Sequence, residues 1–317
     1  MNDVNQNSAA AGIDPGGSQE IRNQQEQRVL TPVRQREDWP REAVGNQQLR
    51  RIAVLDTETT GLDWIRHKTI EICAAIVNVD ANGRIAAIEG MGSGVEDPGH
   101  PLPPEIVELT GLTDAMVQGK EILREKLTAF IAGCEGVIAF NSGFDRPFAE
   151  ALLPSLPLMP WGCAMVDVPW RRLGFEPGPQ NYQLMQMGRF NADAHRARDD
   201  VLSLIELLDH VCRDGESVIA KVLAAMDGKA WRFEATYAPY HQRELLKDRR
   251  YRWRSEGRSG VWHKHVREAD FDAELQWYVD TFGEKPTVVE LPVNERYRYE
   301  RSWKPVERKA RYLAEVQ

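Results

Sequence analysis

The sequence predicts an α/β domain, a mixed sheet covered by helices, followed by a smaller α+β region. Three observations carry this expectation. Two strand-length apolar runs, 69–79 and 84–91, flank Asp80-Ala-Asn-Gly83, a hairpin turn signal. Short buried-strand patterns then alternate with helical ones from residue 121 onward. Beyond residue 213 the composition changes, and nothing in it repeats the first part.

Taken in order, residues 1–48 are polar, rich in Asn, Gln, Gly and Ser, and read as a disordered tail. The first domain is expected over 49–212. Residues 51–56, Arg-Ile-Ala-Val-Leu-Asp, form a short apolar run ending in an acid, which suits a buried central strand. The hairpin strands follow. Residues 121–132 have helical spacing, 136–140 make a second short buried strand, and 146–153 read as a helix stopping before Pro154. Residues 163–168 read as extended. Residues 197–211 form an amphipathic helix with Val201, Leu204, Ile205 and Leu208 on one face. A helix over 218–226 leads into the second region, 213–317.

The bulk numbers fit a globular protein: 317 residues, 42% apolar and 28% charged. No apolar run is long enough to span a membrane, and no secretory signal pattern opens the chain. Cys73, Cys134, Cys163 and Cys212 are scattered without a Cys-x-x-Cys pair, which argues against a disulfide framework or a zinc site and fits a reducing cytoplasm. The formal net charge is −8, unpromising for a nucleic-acid partner, but it is unevenly spread. Residues 211–317 hold 21 Lys and Arg against 18 Asp and Glu, whereas 1–210 hold 19 against 30. A carboxylate-rich metal site would account for part of that acidic excess.

Three segments carry candidate chemistry. Asp56 and Glu58 lie two apart at a strand end, so they project to one face. Thr57 between them faces the other way, and Gly61 permits a close turn. Asp145 follows the second buried strand and opens a helix; alone it would be an ordinary helix cap. His195 and Asp200 bracket the start of the last helix of the domain, with Asp199 about 100° around from Asp200 as the competing acid. Each segment alone also suits a solvated loop or cap. Together they sit at strand ends and helix starts of one α/β unit, where sites form in such folds. Several carboxylates suit a hard divalent cation, and a histidine suits proton transfer near neutral pH, a combination that points to a metal-dependent nuclease.

The segment 51–211 resembles the DEDDh 3′–5′ exonucleases, the family that includes the proofreading (epsilon) subunit of bacterial DNA polymerase III. The resemblance rests on Asp56-Thr-Glu-Thr-Thr-Gly61 and on His195-Arg-Ala-Arg-Asp-Asp200, whose His-x-Ala-x-x-Asp spacing selects Asp200 over Asp199. Leu109-Thr-Gly-Leu-Thr113 is similar to the family segment near the substrate's 3′ end. The second motif departs from the family: Phe140 stands where a histidine is usual, with Asn141 and Asp145 retained. The resemblance implies a ribonuclease H-like fold with a five-stranded mixed sheet flanked by helices. It implies two Mg²⁺ or Mn²⁺ ions, held by Asp56, Glu58 and Asp200, with Asp145 helping to position the second through water. It implies His195 as general base and nucleoside 5′-monophosphates as products. Thr57, Leu62, Asn141 and Phe144 become expected contacts with the terminal nucleotides.

The second region combines arginines with aromatics, among them Trp231, Tyr240, Tyr251, Trp253, Trp262, Trp277, Tyr299 and Trp303. Residues 241–249 read as a helix, with 251–254 and 261–266 as strands around 255–260. Alternation puts Tyr251 and Trp253 on one face and Arg252 and Arg254 on the other. Such a surface suits stacking of bases, and large aromatics equally suit the core of a small domain. The reading is a 3′–5′ exonuclease acting on DNA, most naturally at a single-stranded 3′ end. A replication or repair polymerase is a possible partner. An exoribonuclease, or a non-catalytic nucleic-acid-binding protein on the same fold, is the alternative.

Overall fold

The computed structural model describes residues 29–43, 48–192, 195–256 and 259–298. Five strands form the first sheet: β1 (Arg50–Thr59), β2 (Thr69–Val79), β3 (Ile85–Val95), β4 (Gly136–Ala139) and β5 (Trp161–Cys163). Their order is β3-β2-β1-β4-β5. β1, β2 and β3 pair antiparallel, whereas β4 runs parallel to β1 and β5 parallel to β4. This is the expected mixed sheet. The β2–β3 turn closes as its sequence implies: Asp80 Oδ1 accepts from the Asn82 and Arg84 amides at 2.9 and 2.8 Å, and Gly83 takes φ 70°.

The central strand is apolar from Ile52 to Leu55 because helices cover both faces there. Ile52 and Val54 pack toward α3 (Ala197–Asp209) and α4 (Val218–Asp227). Ala53 and Leu55 pack the other way, toward α1 (Arg124–Ala132) and α2 (Ser142–Leu152). A second sheet follows: β6 (Ala230–Glu234), β7 (Arg252–Glu256), β8 (Ser259–Arg267) and β9 (Thr287–Leu291), all antiparallel in the order β9-β6-β8-β7. The helix α5 (Phe271–Phe282) covers one face, burying Phe233, Val266 and Tyr278.

Several sequence expectations need correction. The polar tail does not extend to residue 48. Thr31–Pro32 pairs with Arg189–Phe190, and Val33 and Trp39 are buried. Arg34 lies 3.7 Å over the Trp39 ring and pairs with Glu206 at 2.7 Å and Asp209 at 2.9 Å. These long-range partners leave no periodic trace in the segment itself. Residues 1–28 and 44–47 lie outside the described residues. The boundary expected at 212 falls too early, because α4 buries Val218, Ile219, Val222 and Met226 in the first core.

The expected extended stretch 163–168 divides: after β5 the chain makes one turn, Ala164–Asp167, with the Cys163 amide donating to Asp167 Oδ2 at 2.7 Å. The helix expected from 146 begins at Ser142, since the Phe144 and Asp145 amides already bond back to the Asn141 carbonyl. The aromatic face expected for Tyr251 and Trp253 forms only in part: Tyr251 is buried just ahead of β7, while Trp253 is 55% exposed and meets Trp262, at the rim of the same cluster, with ring centroids 5.6 Å apart. Tyr299 and Trp303 lie outside the described residues.

The two sheets are tied by residues 293–298. Arg146, fully buried on α2, donates to the carbonyls of Asn294 at 2.7 Å and Arg296 at 2.5 Å, and to Glu150 at 2.8 Å. The Tyr297 hydroxyl donates to Asp167 at 2.5 Å. A buried guanidinium persists only with its donors satisfied, and backbone carbonyls of the second region supply two of its partners.

Candidate active site

Asp56 and Glu58 project together from the end of β1, where that strand leaves β4 behind and pairs only with β2. Thr57 points to the opposite face, toward α2. Asp145, in the first turn of α2, reaches across to it. Asp145 Oδ1 accepts from the Thr57 amide at 3.1 Å and from the Thr57 hydroxyl at 2.8 Å. Asp145 is 3% exposed and so held rigidly beside the strand end. Thr57 is buried as well, and its hydroxyl is committed to Asp145 rather than open to a nucleotide.

The third segment arrives at the start of α3. Asp200 Oδ2 accepts from the His195 amide at 2.9 Å, Asn191 approaches Oδ1 at 3.5 Å, and Gln180 donates to the Asp200 carbonyl at 2.8 Å. His195 itself is exposed and left-handed, φ 70°, a conformation that costs a non-glycine residue energy and is maintained by its surroundings. Glu58, His195 and Asp200 each offer a ligand atom, and these atoms all lie within 4.8 Å of one another. Asp199 instead turns to Arg198 at 3.4 Å.

The electrostatics are those of acids forced together. Burial pushes the Glu58 carboxyl up to about 8, with Asp200, Glu71 and Asp145 adding to the rise and Arg196 opposing it. Burial raises Asp145 to about 7 against the lowering effect of the two Thr57 hydrogen bonds. Asp56 stands well above the usual carboxylate range through burial and the charges of Asp145, Asp200 and Glu58. Asp200 is raised by burial and lowered in part by the His195 amide. Mutual repulsion of this kind is relieved by a hard cation, and the donor set, carboxylate oxygens with one imidazole, fits a divalent metal.

Sequence reasoning missed Glu71. It lies directly across β2 from Glu58 and is buried. It takes a bidentate ion pair from Arg196 at 2.9 and 3.1 Å and accepts from the Ala197 amide at 3.1 Å. It therefore caps α3 and holds the segment between His195 and Asp200. One signal was available: Glu71 is the single charged residue in a strand otherwise buried from end to end.

Of the other expected residues, Leu62, three positions beyond the end of β1, is 86% exposed. Asn141 stands at the α2 N-terminus, and Phe144 packs against Phe148 with ring centroids 5.0 Å apart. Phe140, where the motif departs, packs its ring against the core.

A mixed sheet in the order 3-2-1-4-5, with its acids gathered at the end of the central strand, defines a ribonuclease H-like protein. The exonuclease family model matches residues 53–208. The DNA polymerase III subunit epsilon of Treponema pallidum is 31% identical over 160 residues, 48% of this chain and 72% of that protein. The chain therefore belongs to the exonuclease family, and the resemblance to the DEDDh 3′–5′ exonucleases stands. The PolC-type DNA polymerase III of Halalkalibacterium halodurans is 38% identical over 97 residues, 30% of this chain but only 6% of that polymerase. A solved structure of exonuclease X in complex with 5′ overhanging duplex DNA is 28% identical, covering 50% of this chain and 89% of that one, at a TM-score of 0.38. Among the described residues no helix is long and apolar enough to cross a membrane.

Proposed function

We propose that the chain is a metal-dependent 3′–5′ exonuclease that releases nucleoside 5′-monophosphates from the 3′ end of single-stranded DNA. The observation that carries this is the convergence of Glu58, Asp200 and His195 within 4.8 Å, beside Asp56 and Asp145 in one electrostatic field. Asp56, Glu58 and Asp200 are the residues that would hold Mg²⁺ or Mn²⁺, with Asp145 positioning a second ion. Such ions supply charge stabilisation for the attacking and leaving oxygens of an in-line displacement.

The chain's own residues do the rest. His195, exposed and tethered through its backbone to Asp200, accepts the proton of the attacking water at an imidazole nitrogen. Thr57 keeps Asp145 oriented with its carboxylate as acceptor. Leu62 and Asn141 flank the site as contacts for the terminal nucleotides. Likeness to a polymerase III epsilon subunit supports a setting in DNA replication or repair.

The test is degradation of 5′-labelled single-stranded DNA and RNA with Mg²⁺ or with chelator. Metal-dependent shortening of DNA from the 3′ end, abolished in Asp56→Asn and His195→Ala, is expected. Equal degradation by wild type and both variants would refute the assignment. Preferential shortening of RNA would make the protein an exoribonuclease instead.

A further inference from the structure

The second sheet is only partly covered by α5. It borders a groove of about 2530 Å³ between the two sheets. Its lining includes Asn141 and Gly143, at the start of the helix that carries Asp145. It also includes Arg171 and Arg172, and Arg252, Trp253 and Tyr240 on the second region. The lining holds ten arginines and lysines against six acids, on a chain whose net charge is −8. Cationic charge is thus concentrated along this groove in an otherwise acidic protein. Two aromatics stand out into solvent along it: Tyr240 is 78% exposed and Trp253 55%.

These features ask for a polyanion with flat apolar faces. We infer that the groove is the track for single-stranded DNA lying 5′ of the nucleotide being cleaved, with arginines following the phosphates and Trp253 and Tyr240 stacking bases. The inference rests on the proposed exonuclease activity and extends it, assigning the second region a role in holding the strand while its 3′ end occupies the acids. Asn141 lines the groove four residues before Asp145, at the start of the helix that the site uses. The ties from Arg146 and Tyr297 to residues 294–297 and Asp167 keep the two walls in register. A core-only role for the aromatics does not account for Trp253 and Tyr240 standing 55% and 78% exposed.

The test uses the full chain with Arg252→Glu/Trp253→Ala, two exposed positions, and Lys126→Glu, an exposed control on α1 outside the groove. Binding of fluorescent oligo(dT), roughly 20 nucleotides long to exceed the ~4–16 nucleotides of a typical single-strand site, is measured by anisotropy in chelator across a salt series. Cleavage of the same oligomer and of a dT trinucleotide is measured with Mg²⁺. The double variant is expected to weaken long-strand binding about tenfold or more. The slope of log affinity against log salt should flatten by roughly 0.7 for each phosphate that the variant no longer neutralises. Its kcat/KM on the trinucleotide is expected to stay within about twofold of wild type, because the trinucleotide engages only the end at the acids.

Equal loss on both lengths would overturn the track, since it would mark a disturbed catalytic end. Unchanged long-strand binding would also overturn it and leave the face to a protein partner. If wild type shortens neither oligomer but long-strand binding still depends on Arg252 and Trp253, the track stands and the exonuclease reading falls.

Discussion

Replacing Glu58 with glutamine should stabilise the metal-free protein at alkaline pH while destroying its function. The Glu58 carboxyl is lifted from 4.5 to about 8 by burial and by Asp200, Glu71 and Asp145. An acid with a raised folded-state pKa leaves stability untouched below its unfolded value. It removes stability as pH rises from about 4.5 to about 8, because the native state holds the proton that the unfolded chain has released. At about 1.4 kcal/mol per unit, that window is worth at most about 5 kcal/mol. Asp56, Asp145 and Asp200 share the same field, so neutralising one acid relieves only part of it. Glu58→Gln should recover about 2 kcal/mol at pH 8 and almost nothing at pH 5. For a chain of this size that is roughly a 4–8 °C rise in Tm. Thermal unfolding in chelator at the two pH values reads it directly. Mg²⁺ at a hundredfold excess over Kd should then stabilise the wild type by about 2.7 kcal/mol and raise its Tm, and the variant much less. A variant no more stable than wild type at pH 8, or stabilised equally at pH 5, would refute the picture of mutually repelling acids.

Other expectations concern what holds the site. Thr57→Val removes the hydroxyl donated to Asp145 at 2.8 Å, so the Asp145 carboxyl should titrate higher, the acidic limb of the pH–rate profile should move up, and kcat should fall about tenfold. Glu71→Gln leaves Arg196 without its ion pair and weakens the cap on α3. A loss of about 1–3 kcal/mol in urea unfolding and a fall in kcat with little change in KM are expected, and unchanged kcat would show that Glu71 does not position His195 and Asp200. Arg146→Met empties a buried guanidinium from between α2 and residues 294–296; faster proteolysis near residue 295 with a Tm drop worth about 2–4 kcal/mol should follow. Gly162→Ala places a Cβ 2.6 Å from Val222 on α4, so a cost of about 1–3 kcal/mol should appear in the same unfolding assay.

What could be read directly from the chain was what local chemistry determines. The spacing of Asp56 and Glu58 on a strand, the Asp80–Gly83 turn and the apolar stripe of α3 all express rules that act within a few residues, and the structure forms each of them. What escaped depends on partners far along the chain. Arg34 is held by Glu206, 172 positions away, and Trp39 lies beneath the Arg34 guanidinium, so the segment 29–43 reads as tail. The helix α4 is amphipathic wherever it docks, and its sequence does not say that its partner is the first sheet. That the Thr57 hydroxyl is held by Asp145 also escaped, because the helix carrying that acid lies 88 positions further along the chain.

Glu71 shows how the two kinds of information combine. Locally it is only an acid in an apolar strand, which is a costly place for a charge without a partner. That cost is itself the clue, since such a residue is retained only where something distant satisfies it. Here the partner is Arg196, beside His195 and four residues before Asp200, and the Ala197 amide at the start of α3 is a second donor. The pair binds β2 to the start of α3 at the point where the acids of β1 must meet those of the helix. Convergence of Asp56, Glu58, His195 and Asp200 therefore depends on an ion pair between residues 125 positions apart. Exchanging the partners, Glu71→Arg with Arg196→Glu, separates the two roles: restored folding without restored activity would assign the glutamate a specific place as cap of α3, whereas recovery of both would reduce it to a tether.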